Sequence, residues 1–213
     1  MSEFFFSFSE IGEEIKKKNH SLKANPKQLC QLFLERTTFS DLEKKDIMSF
    51  FFKLQKFNFD KIYENYLTHP IRVSDMYFQN IKDVNVDDIK FILSHNIIEC
   101  DIFKKFKNNL TAKQIKKIQI LTIDRKREKS QLYLKSFYDR IFKYSTNLFI
   151  FKSLDKMDNA LIGDKILFSK HALNIFEKHM FIKLKKYNYE LYLYQKKLLS
   201  YAKKSILKNE SKI

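Results

Sequence analysis

Residues that break helices are nearly absent from this 213-residue chain, which contains two glycines, Gly12 and Gly163, and two prolines, Pro26 and Pro70. β-Sandwiches, barrels and βαβ units depend on turns that are dense in these two residue types. The glycine-rich loops that bind phosphate groups in P-loop and dinucleotide-binding proteins are excluded for the same reason. The sequence therefore predicts an all-α fold in which helices are joined by polar turns.

Capping signals predict where several of these helices begin. Ser40 with Glu43, and Thr111 with Gln114, have the spacing of a capping box. In a capping box the first side chain accepts a hydrogen bond from a free backbone amide of the helix, and the second side chain accepts one from the amide of the cap residue. Pro70 is predicted to end a helix, because the residue before a proline avoids the helical region. Further helix starts are predicted at Asn25, Ser74 and Asn85.

The phenylalanine-rich stretch 47–70, IMSFFFKLQKFNFDKIYENYLTHP, is predicted to be helical core. After the cap at Ser40, four apolar side chains follow the i, i+3, i+4, i+7 spacing of one helix face: Ile47, Phe50, Phe51 and Leu54. A second helix is predicted to start at Asn58 and to carry Phe59, Ile62, Tyr63 and Tyr66 on one face. No segment reaches the roughly 18 apolar residues of a membrane span. Because the start also lacks the pattern of a signal peptide, we expect a cytoplasmic protein.

Three segments of the first half share a pattern of hydrophobic spacing: QLFLERTTFSDLEKKDIMSFFFKL, NVDDIKFILSHNIIECDIFKKF and LTAKQIKKIQ. In FILSHNIIECDIFKKF, a helix ending in a leucine and a small polar residue is followed by a short loop and a helix with an acidic cap. Over about residues 29–120 the chain resembles an uncharacterised HEAT-like helical-repeat family of alphaproteobacteria, classed as a domain of unknown function. The resemblance implies stacked helical hairpins and no particular reaction.

Longer helices are predicted in the second half. Residues 130–157 form one long or two shorter helices, and residues 165–208 form the longest helical pattern. Within that pattern an apolar seam with alternating three- and four-residue spacing is expected to pack on a partner helix. A homodimer through this C-terminal helix is one expected assembly. The candidate seam residues are Met180, Leu184, Tyr187, Leu191, Tyr194, Leu198 and Tyr201.

Positive charge is concentrated in the second half of the chain. Residues 1–110 contain 17 basic and 16 acidic side chains, whereas residues 111–213 contain 24 and 9. A codon bias towards lysine would enrich both halves alike, so the asymmetry indicates an acidic partner, although a solvated basic face accounts for the same pattern. The densest cluster is a candidate polyanion-binding site, because lysine–phosphate contacts release counterions. Its residues are Lys113, Lys116, Lys117, Arg125, Lys126, Arg127 and Lys129.

The residue types that carry catalysis or bind metals lack the spacing that either role needs. His171 and His179 are eight residues apart on one predicted helix, about 12 Å along its axis and too far to share an ion. Cys30 is predicted to be a small apolar core residue, and neither it nor Cys100 belongs to a CxxC pair. No catalytic, cofactor-binding or metal-binding residue is predicted, and no enzymatic activity or cofactor is expected.

Together these patterns predict three parts: an N-terminal segment at 1–21, a stack of helical hairpins at 22–125, and a basic long-helix region at 126–213. The expected architecture is an irregular, HEAT-like stack of short hairpins followed by a long amphipathic C-terminal helix. The expected function is that of a non-enzymatic interaction or scaffold protein whose basic C-terminal half binds an acidic partner. Nucleic-acid binding, with tyrosines of the last helix stacking on unpaired bases, and peripheral association with an anionic membrane are the alternatives.

Overall fold

A computed structural model describes residues 4–7, 10–57, 67–160 and 176–210, and every regular element in these ranges is helical. The all-α prediction is therefore confirmed. The helix predicted from Asn58, and His171, lie outside the described residues. The α-helices are α1 (Ile11–Leu22), α2 (Pro26–Glu35), α3 (Asp41–Gln55), α4 (Thr68–Asn80), α5 (Val86–Ser94), α6 (Phe103–Phe106), α7 (Ala112–Leu121), α8 (Gln131–Tyr144), α9 (Thr146–Ala160), α10 (Phe181–Tyr187) and α11 (Tyr189–Glu210).

The chain divides into two compact units. The first unit comprises Met1–Phe6 and His20–Ile123, and the second comprises Ser7–Asn19 and Asp124–Ile213. Their sequences differ in charge: the first unit contains 17 basic and 13 acidic side chains, and the second contains 24 and 12. Most of the net positive charge therefore belongs to the second unit.

Helical hairpins build the first unit. α2 packs against α3 and α4 against α5, while α2 also packs against α4, α3 against α5, and α5 against α7. This is the packing of stacked hairpins, as predicted, and a relation to HEAT repeats stays a prediction. The core between these helices includes Phe33, Phe51 and Ile92, whose side chains are each 0% exposed. Cys30 is equally buried, as predicted for a core residue, and burial raises the pKa of its thiol to about 12.

Local hydrogen bonds explain why these helices begin where they do. The Ser40 amide donates to Glu43 Oε2 at 2.8 Å, and the Glu43 amide donates to Ser40 Oγ at 3.4 Å. Thr111 and Gln114 form the same reciprocal pair at the start of α7. The side chains of Asn25 and Asn85 also accept amides at the starts of α2 and α5. Both predicted capping boxes and both asparagine caps are confirmed.

The start of α4 corrects the sequence-based prediction. The helix begins at Thr68 and contains Pro70 in its first turn, so Pro70 does not end a helix there and Ser74 does not open one. Proline is tolerated at this place because the first amides of a helix have no partner within it. The Ser74 hydroxyl donates to the Pro70 carbonyl oxygen at 2.8 Å, and this bond gives the buried hydroxyl a partner inside the helix.

The second unit is built from longer helices. α8 packs against α9, and α10 packs against α11. The segment 130–157 forms two helices rather than one, because Ser145 has an extended backbone and its hydroxyl accepts the Leu148 amide at 3.3 Å. None of the described helices combines the length and the apolar character that crossing a membrane requires.

Candidate polyanion-binding surface

Three of the predicted polyanion-binding residues lie on α7, in the first unit. Lys113 and Lys116 are exposed, as the prediction requires. The Lys117 side chain is only 14% exposed, because its ammonium donates to Asp88 Oδ1 at 2.7 Å and lies 5.0 Å from the centre of the Phe91 ring. The charge of Lys117 is therefore already engaged within the unit, and two of the three lysines present open ammonium groups.

The other four predicted residues lie in the loop before α8, in the second unit. Lys126 and Lys129 are exposed. Arg125 pairs with Glu128 at 3.1 Å, and the Arg127 guanidinium stacks 4.6 Å above the Tyr133 ring. The loop thus presents two lysines to solvent and holds its two arginines against neighbouring side chains.

The predicted seam is buried over most of its length. Met180, Leu184, Leu191, Tyr194 and Leu198 are at most 5% exposed, whereas Tyr187 and Tyr201 are 46% and 45% exposed. Side chains of the second unit cover the buried part. Gln195 on α11 donates to the Ser153 carbonyl oxygen on α9 at 3.4 Å. Burial, with the carboxylates of Glu14 and Glu10 nearby, raises the pKa of the Tyr194 phenol.

This packing limits how the C-terminal helix can meet another molecule. Side chains that are buried within one chain cannot contact a second copy. A homodimer through α11 stays a prediction, and it would have to use the exposed face that carries Tyr189, Leu193, Lys196 and Lys197.

A break at Asn188 interrupts the long helix predicted for residues 165–208. Asn188 adopts an extended backbone with φ −150° and ψ 90°, and it separates α10 from α11. Its side-chain Oδ1 accepts the Leu191 amide at 2.9 Å, which is the bond of an asparagine N-cap. The prediction of one continuous helix is therefore wrong within the described part, because the heptad-like spacing continues through a residue that caps a new helix.

Two lysines and two tyrosines flank this break and form what we call the tyrosine–lysine patch: Lys185, Lys186, Tyr187 and Tyr189. Both lysines are exposed, and Tyr189 is 55% exposed. Among the described side chains neither lysine forms an ion pair with a carboxylate. The Lys186 ammonium lies 5.4 Å from the centre of the Tyr187 ring. The patch therefore combines open positive charge with exposed aromatic rings.

A cluster of aromatic rings packs against Tyr187 of the patch. Tyr187 meets the Phe142 ring edge to face at 5.3 Å, and Phe142 meets Phe149 in the same way at 5.3 Å. The ammonium of Lys183 lies 5.6 Å from the centre of the Phe142 ring and pairs with the Asp139 carboxylate. These contacts fix the position of Tyr187 while leaving nearly half of its surface in solvent.

Comparison of the chain with protein-family models, curated proteins and solved structures gave no match. The chemistry of the exposed side chains is therefore the basis for assigning a partner. Ammonium groups attract anions, and exposed phenol rings stack on other planar groups. An arrangement that offers both selects for ligands that are anionic and aromatic.

Histidine pairing was not foreseen from the sequence. The rings of His69 and His95, 26 positions apart in the chain, lie 5.3 Å from each other in the first unit, and both are buried. His95 Nδ1 lies 2.6 Å from the Ile92 carbonyl oxygen, so Nδ1 carries the proton in the neutral ring. The pair joins α4 to the residue that caps the C-terminus of α5, so no local spacing in the sequence indicates it.

His179 lies near the patch without belonging to it. Its ring stacks on Tyr138 with 6.3 Å between centres. Desolvation and the nearby Lys183 ammonium lower the pKa of His179, which keeps the imidazole neutral at pH 7. The second unit therefore gains no positive charge from this histidine at neutral pH.

Replacing Asn188 with alanine is expected to lower the free energy of unfolding by about 1 kcal/mol, because the substitution removes the oxygen that caps α11. Urea denaturation followed by circular dichroism measures the change. Ser200→Ala is the matched control, since Ser200 is exposed within α11. This substitution is expected to change the free energy of unfolding by no more than about 0.5 kcal/mol. Equal stability of the two variants would contradict the capping role of Asn188.

Proposed function

We propose that this protein is a non-enzymatic helical interaction protein that binds an acidic partner through the basic surface of its second unit. One observation carries the proposal. Among the described side chains of the second unit, thirteen exposed ones are basic and four are acidic. Such an excess attracts polyanions over several ångströms and speeds their association.

In this proposal the first unit serves as a scaffold and does not attract the acidic partner. Its stacked hairpins form a scaffold of the HEAT-like kind, and such stacks offer extended surfaces to other proteins. Its near-balanced charge, with 17 basic and 13 acidic side chains, makes it a poor attractor of polyanions by comparison. A reducing, cytoplasmic location fits the two cysteines, Cys30 and Cys100, neither of which forms a disulfide.

Nucleic acid is the second candidate partner. The exposed tyrosines beside exposed lysines favour it, because an acidic protein surface uses the lysines but has few planar groups for the phenol rings. An anionic membrane surface is a third possibility for the charge alone. The experiment below includes a probe for each class of partner.

Neutralising four exposed lysines of the second unit is expected to weaken binding to polyanions and to lower its dependence on salt. The variant is Lys126→Gln, Lys129→Gln, Lys135→Gln and Lys143→Gln combined. Each lost phosphate contact reduces the slope of log affinity against log salt by about one. Binding of the full-length protein to poly-L-glutamate, to an RNA oligonucleotide and to phosphatidylserine vesicles is measured over a salt series.

A charge-matched variant of the first unit is the control. Lys45, Lys53, Lys82 and Lys104 are also exposed, and their replacement by glutamine changes the net charge by the same amount. This control is expected to keep most of the affinity and the salt slope of the unmodified protein. The proposal fails if no acidic probe binds at low salt, or if the two variants lose binding equally.

A further inference from the structure

We propose that the tyrosine–lysine patch at residues 185–189 is a binding site for single-stranded nucleic acid, an assignment that rests on the polyanion-binding function proposed above. One feature of the patch distinguishes it from the rest of the basic surface: two exposed aromatic rings lie beside two exposed lysines. Phosphates would meet Lys185 and Lys186 while unpaired bases stack on Tyr187 and Tyr189.

The rings are held in place before a ligand arrives. Tyr187 rests on Phe142, and Tyr189 lies 5.8 Å from the Tyr192 ring. A ring that is already fixed loses little conformational entropy when a base stacks on it. The extended backbone at Asn188 interrupts the helix between the two tyrosines, so they stand on separate helices that meet at this point.

The charges of the patch are also available to a ligand. Lys183, one turn earlier, is engaged by Asp139, but Lys185 and Lys186 form no ion pair with the carboxylates of the described residues. Glu190 is the nearest acidic residue in the sequence and is exposed on α11. The net charge of 185–190 is therefore positive, and a phosphate can approach without displacing a protein carboxylate from either lysine.

Single strands fit the patch better than the other polyanions. In a duplex the base faces are already stacked on one another, so exposed tyrosines have no face to meet. An acidic polypeptide satisfies the lysines but offers few planar groups. A membrane surface favours a helix with a continuous apolar face, whereas two of the four patch residues are lysines.

The test uses the full-length protein and a fluorescent 15-nucleotide oligo(dT), which has pyrimidine bases and no secondary structure. Tyr187→Ala and Tyr189→Ala are each expected to weaken binding by about 5- to 150-fold, the fold-change of one lost base stack. Tyr187→Phe and Tyr189→Phe keep the ring and are expected to bind as the unmodified protein does. Tyr201→Ala is the matched control, because Tyr201 is 45% exposed on α11 and lies outside the patch.

The comparison ligands separate this proposal from the more general one. A duplex of the same length, phosphatidylserine vesicles and poly-L-glutamate are measured at the same salt concentration. Oligo(dT) binding that exceeds duplex binding and depends on both tyrosine rings supports the assignment. Equal binding of single strand and duplex, preference for vesicles, or unchanged binding by the alanine variants overturns it. Binding of poly-L-glutamate without oligo(dT) overturns the assignment while leaving the polyanion function intact, and no binding to any probe overturns both.

Discussion

Replacing Asp158 with leucine is expected to lower the free energy of unfolding of the second unit by about 3–5 kcal/mol. Lys18 and Asp158 form an ion pair of 3.1 Å between side chains that are 3% and 4% exposed. The Lys18 ammonium also donates to the Asp158 carbonyl oxygen. Without the carboxylate, the ammonium would lie in a low-dielectric interior that solvates it poorly. Urea denaturation followed by circular dichroism measures the loss.

Two further variants separate the charge effect from simple loss of packing. The double variant Lys18→Met, Asp158→Leu removes both charges and is expected to be more stable than Asp158→Leu alone, since apolar pairs often replace buried ion pairs without loss. Glu128→Gln breaks the exposed pair with Arg125, whose side chain is 67% exposed, and is expected to change stability by less than about 1 kcal/mol. A double variant that is less stable than Asp158→Leu would contradict the coupling of Lys18 with Asp158.

The buried charges of α9 show a limit of sequence reasoning. Lys152 and Asp155 pair at 2.8 Å, and both are buried. A helical pattern places charged residues on a face, but burial of that face depends on what packs against it from elsewhere in the chain. The sequence places Asp155 three positions after Lys152, so their pairing is local to the helix, whereas the burial of the pair is a property of the folded unit.

Helix starts in the first unit were predictable because their causes are local. The capping box of Ser40 and Glu43 joins residues three positions apart, so its spacing is visible in the sequence. The apolar face of α3 follows directly, and Ile47, Phe51 and Leu54 are all fully buried. The prediction that Pro70 ends a helix was wrong because proline is compatible with the first turn of a helix as well as with the residue after its end.

The candidate site was predictable only in part. The lysine-rich character of the second half follows from composition, but Lys117 is engaged by Asp88, which lies 29 positions earlier in the chain. The placement of Tyr187 and Tyr189 on two separate helices depends on the break at Asn188. One local signal of that break was present in the sequence: Asn188 precedes Leu191 at the spacing of an N-cap, with Glu190 in the first turn.

Replacing Phe106 with alanine is expected to lower the free energy of unfolding of the first unit by about 3–5 kcal/mol. Phe106 is 0% exposed, and its ring meets Phe50 at 5.4 Å and Phe57 at 5.8 Å, edge to face in both cases. It lies on α6, a helix of four residues. So short a helix is not stable by itself, and the contacts of this ring hold it against α3. Urea denaturation again measures the change.

Phe52→Ala is the matched control, since it removes the same side chain from a position that is 39% exposed on α3. It is expected to cost less than half as much as Phe106→Ala, because less apolar surface returns to water and no closed cavity forms. Phe106→Leu, which keeps most of the buried volume, is expected to recover more than half of the loss. If Phe106→Ala and Phe52→Ala were equally destabilising, α6 would not depend on the burial of Phe106, and the short helix would have to be held by its backbone contacts instead.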